Sequence, residues 1–210
     1  MDEIITRRNI EYLVHFTRVE NLESIFANGL MPRAVIDEED DIDSTFNDDY
    51  RYDDCENATC LSVEFPNYKM FYTLCCDNPE VDWAVLVLDV QLINEFECAF
   101  CYANAGSERI YTIPLEERKG TDAFEDIFSE YDNYPSRQDL GIPSYYPTNP
   151  QAEVLVFGTI PISYIKGVVF KDEYTLNKYK DLIPKDIEGI KHKEYFYARS
   201  DYKHWRKIDG

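Results

Sequence analysis

The sequence predicts an α+β fold. Strand-like and helix-like segments follow one another in mixed order, no segment repeats another, and no shift in composition is sharp enough to cut the chain. At 210 residues, one domain over residues 1–210 is the expectation. Apolar residues make up 44% of the chain, enough for a core of ordinary size, and aromatics make up a high 15%.

Residues 11–16 (EYLVHF) combine β-branched and aromatic side chains and read as a strand. Thr17 is placed to cap the helix that follows, in which Leu22, Ile25 and Phe26 share one face. Gly29 stands where that helix ends, and Pro32 blocks its continuation. After the turn GLMPR comes an acidic stretch, residues 37–56, without periodicity and expected to be a mobile loop. Residues 60–65 (CLSVEF) read as a second strand, broken by Pro66, and Asn67 can cap the helix NYKMFYTLCC. Residues 83–90 (WAVLVLDV) are nearly all apolar and are the candidate for a central strand. Short strands are expected around Cys98 and Ile110.

From Lys119 the chain changes character. An amphipathic turn, FEDIF, leads into YDNYPSRQDLGIPSYYPTNP, residues 131–150, which reads as a long ordered or semi-ordered loop. Loops of that length are functional or disordered, and four tyrosines argue for function. EVLVF from Glu153 and IKGVVF from Ile165 read as strands. Residues 172–182 read as a helix with Tyr174, Tyr179 and Leu182 inward, and residues 194–198 as a closing strand.

The charge is uneven. Lys and Arg number 21 against 41 Asp and Glu, a net charge of −20. Residues 37–56 hold half of that excess, with only Arg51 opposing, whereas the tail from Lys178 is net basic. Such a balance argues against a broad polyanion binder, because phosphate affinity comes mostly from Lys and Arg. A narrow groove for a short single strand stays open, since stacking carries much of the energy there. No apolar run reaches about 18 residues, so no membrane span is expected. The N-terminus lacks a signal layout, and a cytoplasmic location is expected. In that compartment the six cysteines read as reduced thiols. The pairs Cys55/Cys60 and Cys98/Cys101 leave a zinc reading open, although no histidine lies near either. Cys75 and Cys76 read as small apolar fillers at a helix end. No calcium-loop pattern occurs, and no metal is expected.

Two residues invite chemistry. His15 is either a core histidine bonded to backbone or a ribose or phosphate ligand at the lip of a cleft, with Thr17 beside it. Glu153 opens an apolar strand directly after the tyrosine-rich loop. A carboxylate there is costly to bury, so it is either solvated or paired for a purpose. Tyr131, Tyr134, Tyr145 and Tyr146 either pack the loop onto the body or stack on unpaired bases, with Arg137 and the basic tail neutralising phosphates.

The segment YLVHFTRVENLESIFANGLMPR resembles the N-terminal motif of the DarT family, the DNA ADP-ribosyltransferase toxins of bacterial toxin–antitoxin systems. LSVEFPNYKMFY and NPQAEVLVFGTIPISYI resemble the family's other two blocks, in the right order and spacing. The resemblance implies an ADP-ribosyltransferase-like fold, with mixed central β-sheets and flanking helices around an NAD cleft. It implies that His15, Phe16 and Thr17 hold the NAD ribose and nicotinamide, that Asn21 touches the same ligand, and that Gly29 and Leu30 shape the pocket wall. It makes Glu153 the catalytic glutamate and residues 119–152 the substrate-recognition loop. The middle block lacks the arginine of the thymidine-modifying branch. Met70 stands in its place, either packing within the fold or offering nicotinamide a soft surface. That departure resembles the sister branch, which modifies guanine in single-stranded DNA. NAD as co-substrate, single-stranded DNA as acceptor and a cognate antitoxin as partner are the expectations. The alternatives are the same fold acting on thymine, RNA or a protein, and a non-enzymatic acidic mimic of nucleic acid resting on residues 37–56.

Overall fold

The computed structural model describes residues 1–38, 55–132 and 134–208. Most of the acidic stretch expected to be a loop, residues 39–54, lies outside them. The described strands are β1 (Tyr12–Arg18), β2 (Ala58–Val63), β3 (Trp83–Asp89), β4 (Cys98–Cys101), β5 (Glu153–Phe157), β6 (Ile165–Phe170) and β7 (Glu188–Lys191). The described helices are α1 (Asp2–Arg8), α2 (Leu22–Asn28), α3 (Arg33–Glu38), α4 (Tyr68–Asp77), α5 (Leu92–Glu95), α6 (Glu108–Tyr111), α7 (Gly120–Asp126), α8 (Arg137–Leu140), α9 (Glu173–Tyr179) and α10 (Tyr202–Trp205).

The strands form one mixed sheet in the order β4-β5-β2-β1-β3-β6-β7. Among the described strands only the β6–β7 pair is parallel. The class is α+β, as expected, with one sheet where several were expected. That sheet has a weak seam. β1 pairs with β3 along its whole length, from Tyr12↔Asp89 to Arg18↔Trp83. With β2 it pairs only at Leu13↔Val63 and Val14↔Ser62. Beyond Val14 the two half-sheets part.

The two faces of the sheet are packed differently. Leu13, Leu61, Leu86, Leu88, Val154 and Val168 alternate onto one face and join a continuous core with Ile4 and Ile5 of α1, Leu22 and Ile25 of α2, and Phe124 of α7. On the other face the core is split in two. Val14, Val85, Val87 and Val169 lie under Phe71 and Phe196. Ala99, Cys101 and Leu155 lie with Ile110 and Cys55.

Several local expectations are corrected. Thr17 lies inside β1 and caps nothing; its hydroxyl accepts from Asn21 Nδ2 at 3.1 Å. Ile110 is buried in the short helix α6, not in a strand. Residues 193–196 form a 3₁₀ turn that drives Phe196 against Phe71, and the strand near that end is the earlier β7. Tyr174 is 78% exposed, because α9 turns that position to solvent. Cys76 is exposed rather than filling a gap. The cap expected of Asn67 is present, its Oδ1 accepting from Met70 N at 3.4 Å.

Candidate active site

Glu153 is the first residue of β5 and is 8% exposed. Its Oε2 accepts a hydrogen bond from Ala105 N at 2.7 Å. A backbone donor to a carboxylate is a strong, charge-assisted bond and fixes the side chain's direction. The backbone can come this close because Ala103 and Ala105 are small and buried. Glu153 pairs with Cys101 across β4–β5, so the two side chains leave the same face.

Extending the β2–β5 ladder by one step beyond Leu61↔Val154 sets Glu153 opposite Ser62, and Ser62 pairs with Val14. Glu153, Ser62 and Val14 therefore form one row across three strands, and two strand spacings, about 10 Å, separate β5 from β1. This row crosses the gap between the two apolar clusters of that face. The polar interruption of the core and the seam of the sheet coincide.

His15 lies one residue beyond Val14, where β1 leaves β2. Its Nδ1 is 2.9 Å from the carbonyl oxygen of Cys60. A carbonyl only accepts, so Nδ1 carries the proton and donates. The imidazole thus satisfies a β2 carbonyl near the end of the short β1–β2 ladder. Phe16 stacks on Phe71 of α4, with ring centroids 4.6 Å apart. Gly29 ends α2 at φ 87°, and a side chain there would meet the Ile160 carbonyl oxygen at 2.6 Å. Leu30 and Ile160 exchange backbone bonds of 2.9 Å in both directions, and the Leu30 side chain joins the continuous core. Met70 is half-buried in the first turn of α4.

Ser62 in this row and Asn67 beside it were not among the site residues expected from the sequence, where Asn67 was read as a helix cap alone. Asn67 N donates to Ser62 Oγ at 3.2 Å, and Asn67 is 2% exposed. Its Nδ2 is a buried donor without an acceptor among the described residues. The signal for Ser62 and Asn67 is their polarity within the apolar run LSVEFPN. It gains meaning only when β1 and β5 are placed on either side.

The loop before Glu153 is held both by its own residues and by side chains of the surrounding body. Tyr131 stacks on Tyr102 at 4.2 Å and donates to the Asp126 carbonyl. The Tyr134 hydroxyl accepts from Arg109 Nη1 at 2.9 Å and from Asn149 Nδ2 at 3.2 Å. Tyr145 and Tyr146 meet edge to face, and Tyr146 meets Phe65 the same way. Burial pushes the Tyr146 hydroxyl up to about 12, so it stays a neutral donor. Both terminal nitrogens of Arg137 donate within the loop, Nη1 to Tyr146 O and Thr148 Oγ1, Nη2 to Pro143 O and Ser144 O. Arg137 therefore fastens the loop, and that is the role its bonds support.

Among the described residues no group of three or more His, Cys, Asp or Glu is placed to hold a metal ion. The cysteines form no disulfide. Burial pushes the Cys98 thiol up to about 12. No described helix is long and apolar enough to cross a membrane.

The sequence profile of one protein family, described as ssDNA thymidine ADP-ribosyltransferase, DarT, matches residues 14–203. No curated protein matches the chain by sequence. Among solved structures, Thermosipho africanus DarTG in complex with ADP-ribose is 17% identical with a TM-score of 0.60, covering 88% of this chain and 50% of that one. This chain thus spans half the length of that DarTG. Thermus sp. 2.9 DarT in complex with carba-NAD+ is 12% identical with a TM-score of 0.61, covering 89% of this chain and 97% of that one. The Thermus protein in complex with ADP-ribosylated ssDNA is 14% identical with a TM-score of 0.52, covering 89% and 96%. At such identities the structural likeness is one of fold. The profile, in contrast, runs along the sequence from β1 through the row at the seam to the C-terminal segment. The chain belongs to the DarT family of single-stranded-DNA ADP-ribosyltransferases, and its seven-stranded α+β sheet is the ADP-ribosyltransferase fold of that family.

Proposed function

We propose that this chain transfers ADP-ribose from NAD to a base of single-stranded DNA, with release of nicotinamide, and that the base is guanine. The observation that carries the reading is a buried, backbone-held carboxylate at the seam of the sheet, in a chain of this family. The residues there suit a nicotinamide nucleotide. The Asn67 amide is a buried donor with no acceptor among the described residues, Met70 is a soft surface one helical turn away, and in this reading His15, one residue beyond the row on β1, binds the same nucleotide. In this reading Phe16, Thr17 and Asn21 complete the NAD wall, with Gly29 and Leu30 behind it.

The chemistry asks little beyond what Glu153 can do. The bond from the anomeric carbon to the pyridinium nitrogen breaks, and its electron pair returns to the ring, which leaves as neutral nicotinamide. The sugar passes through a cationic transition state, and a fixed carboxylate stabilises that charge more than it stabilises the ground state. The bond to the base nitrogen forms, and the nitrogen loses a proton. In this reading Glu153 accepts it. An exocyclic amine is a poor nucleophile until that proton leaves, so one carboxylate serves both steps.

Met70, standing where the thymidine-modifying branch has arginine, supports guanine. Thymine is the second reading, favoured by the family description itself. In either case Tyr131, Tyr134, Tyr145 and Tyr146 form the face against which bases stack, with Arg137 shaping it. A cognate antitoxin is the protein partner that such a toxin implies, and the cytoplasm holds its substrates.

The test is incubation with NAD and oligonucleotides that differ at one base, read by mass. The expected result is a single ADP-ribose added only where guanine is present, and none by Glu153→Gln, which still binds NAD. An adduct on guanine-free, thymine-containing strands moves the target to thymine. Full transfer by Glu153→Gln removes Glu153 from the reaction.

A further inference from the structure

Just ahead of Glu153, the loop is gripped by a buried ion pair from the C-terminal segment. Arg199 and Asp201 are 3% and 1% exposed. Arg199 Nε donates to Asp201 Oδ1 at 2.8 Å and Nη2 to Oδ2 at 2.7 Å. The same guanidinium donates to the carbonyls of Pro147, Nη1 at 3.0 Å, and Thr148, Nη2 at 3.1 Å. Trp205 Nε1 adds a bond of 2.9 Å to Asp201 Oδ2, and Tyr134 meets that indole edge to face at 5.2 Å.

Thr148 is thereby held from three sides. Its N donates to Ile127 O at 3.1 Å, its carbonyl accepts from Arg199, and its hydroxyl accepts from Arg137. The network also reaches α4. Tyr68, two residues before Met70, has its hydroxyl pushed up to about 12 by burial and by the Asp201 charge. Lys69 Nζ donates to the Ile208 carbonyl. The C-terminal segment thus ties together the loop before Glu153 and the helix bearing Met70.

Stability alone is a weak account of such a pair, because desolvating two charges offsets most of their attraction. A planar fork locked by one carboxylate is instead suited to setting two carbonyls in fixed directions. We propose that Arg199, oriented by Asp201, is a positioning residue for the DNA acceptor: it sets the backbone at Pro147 and Thr148 and so aligns the tyrosine-bearing loop with Glu153. This rests on the reaction proposed above. It separates the two substrates, because the loop serves the acceptor and not NAD.

The experiment compares Arg199→Lys, which keeps the charge and loses the fork, with Trp205→Phe, which keeps an aromatic ring and loses one donor. The KM for the oligonucleotide is expected to rise about tenfold in the first, the scale of one lost charge-assisted hydrogen bond, and about threefold in the second. The Kd for NAD, measured by calorimetry, stays within about twofold of the parent by the same scale. Hydrogen exchange at the Thr148 and Asn149 amides accelerates while β1 and β3 stay protected. Equal loss of NAD binding and transfer, or an unchanged oligonucleotide KM, overturns the proposal, as does unchanged exchange at those amides. A parent protein that modifies no oligonucleotide overturns the reaction instead. Exchange at Thr148 and Asn149 then decides by itself whether Arg199 sets the loop.

Discussion

Asn67 shows how much one side chain can be asked to do. Its Oδ1 caps α4, its backbone N–H holds Ser62, and its Nδ2 is buried without an acceptor among the described residues. Leaving such a donor unmatched costs about 1–3 kcal/mol, which a ligand oxygen would recover. Asn67→Asp keeps the cap and removes the donor, so it separates the two roles. NAD affinity is expected to fall about tenfold or more by calorimetry, a loss read apart from thermal stability, which the newly buried carboxylate also lowers. Unchanged affinity would leave Nδ2 without that role. At this scale His15 and Glu153 stand out as candidates, because a histidine in a strand and an acid opening an apolar strand are unusual by themselves. Ser62 and Asn67 do not, because polar residues near a strand end are ordinary until their neighbours are known. Arg137 had the right segment, but its charge pointed to phosphates, whereas the structure aims it at its own loop.

Among the elements, the strands with strong local patterns formed nearly where expected. β1, β3, β5 and β6 are apolar enough to be buried wherever the chain places them. β7 (EGIK) escaped notice, because it is a short, exposed edge strand that follows β6 as a template rather than its own pattern. The aromatic run at 194–198 looked like a strand, but one residue of it, Phe196, is recruited to cover Phe71. The junction after α2 is the most demanding backbone position in the NAD half of the proposed site. Gly29 is at φ 87° with Ile160 O where a side chain would go. Gly29→Ala is expected to cost about 1–3 kcal/mol in thermal or urea unfolding, from the positive φ and the clash together. A neutral substitution would mean that the Leu30–Ile160 bridge is not rigid.

For the molecule as a whole, the decisive feature is a sheet that is continuous in order but thin at one seam. One face is sealed by a single core, and the other is divided where Glu153 and Ser62 stand. A site at the division has apolar walls on both sides, which strengthens every electrostatic contact made there. The global charge of −20 sets the terms on which DNA can approach. If stacking on the loop supplies most of the affinity, binding of a short single strand falls only gently with salt. A log–log slope of about −2 or shallower, near −0.7 per neutralised phosphate, is expected from anisotropy titrations. A slope steeper than about −5 would mean that phosphate contacts dominate and that the tyrosines are not the main surface.

The sequence by itself determined the class of fold, most of its strands, the family blocks and the two residues on which the proposed chemistry turns. All of these depend on residue type and on periodicity over a few positions. Only the tertiary structure decided that the sheet is one and not several, that Glu153 shares a row with Ser62 and Val14, and that arginines at 137 and 199 point inward to hold a loop. Those facts depend on register between distant strands and on which buried carbonyls lack a donor. A one-residue slip would move every side chain of a strand to the opposite face, so no local pattern can specify them.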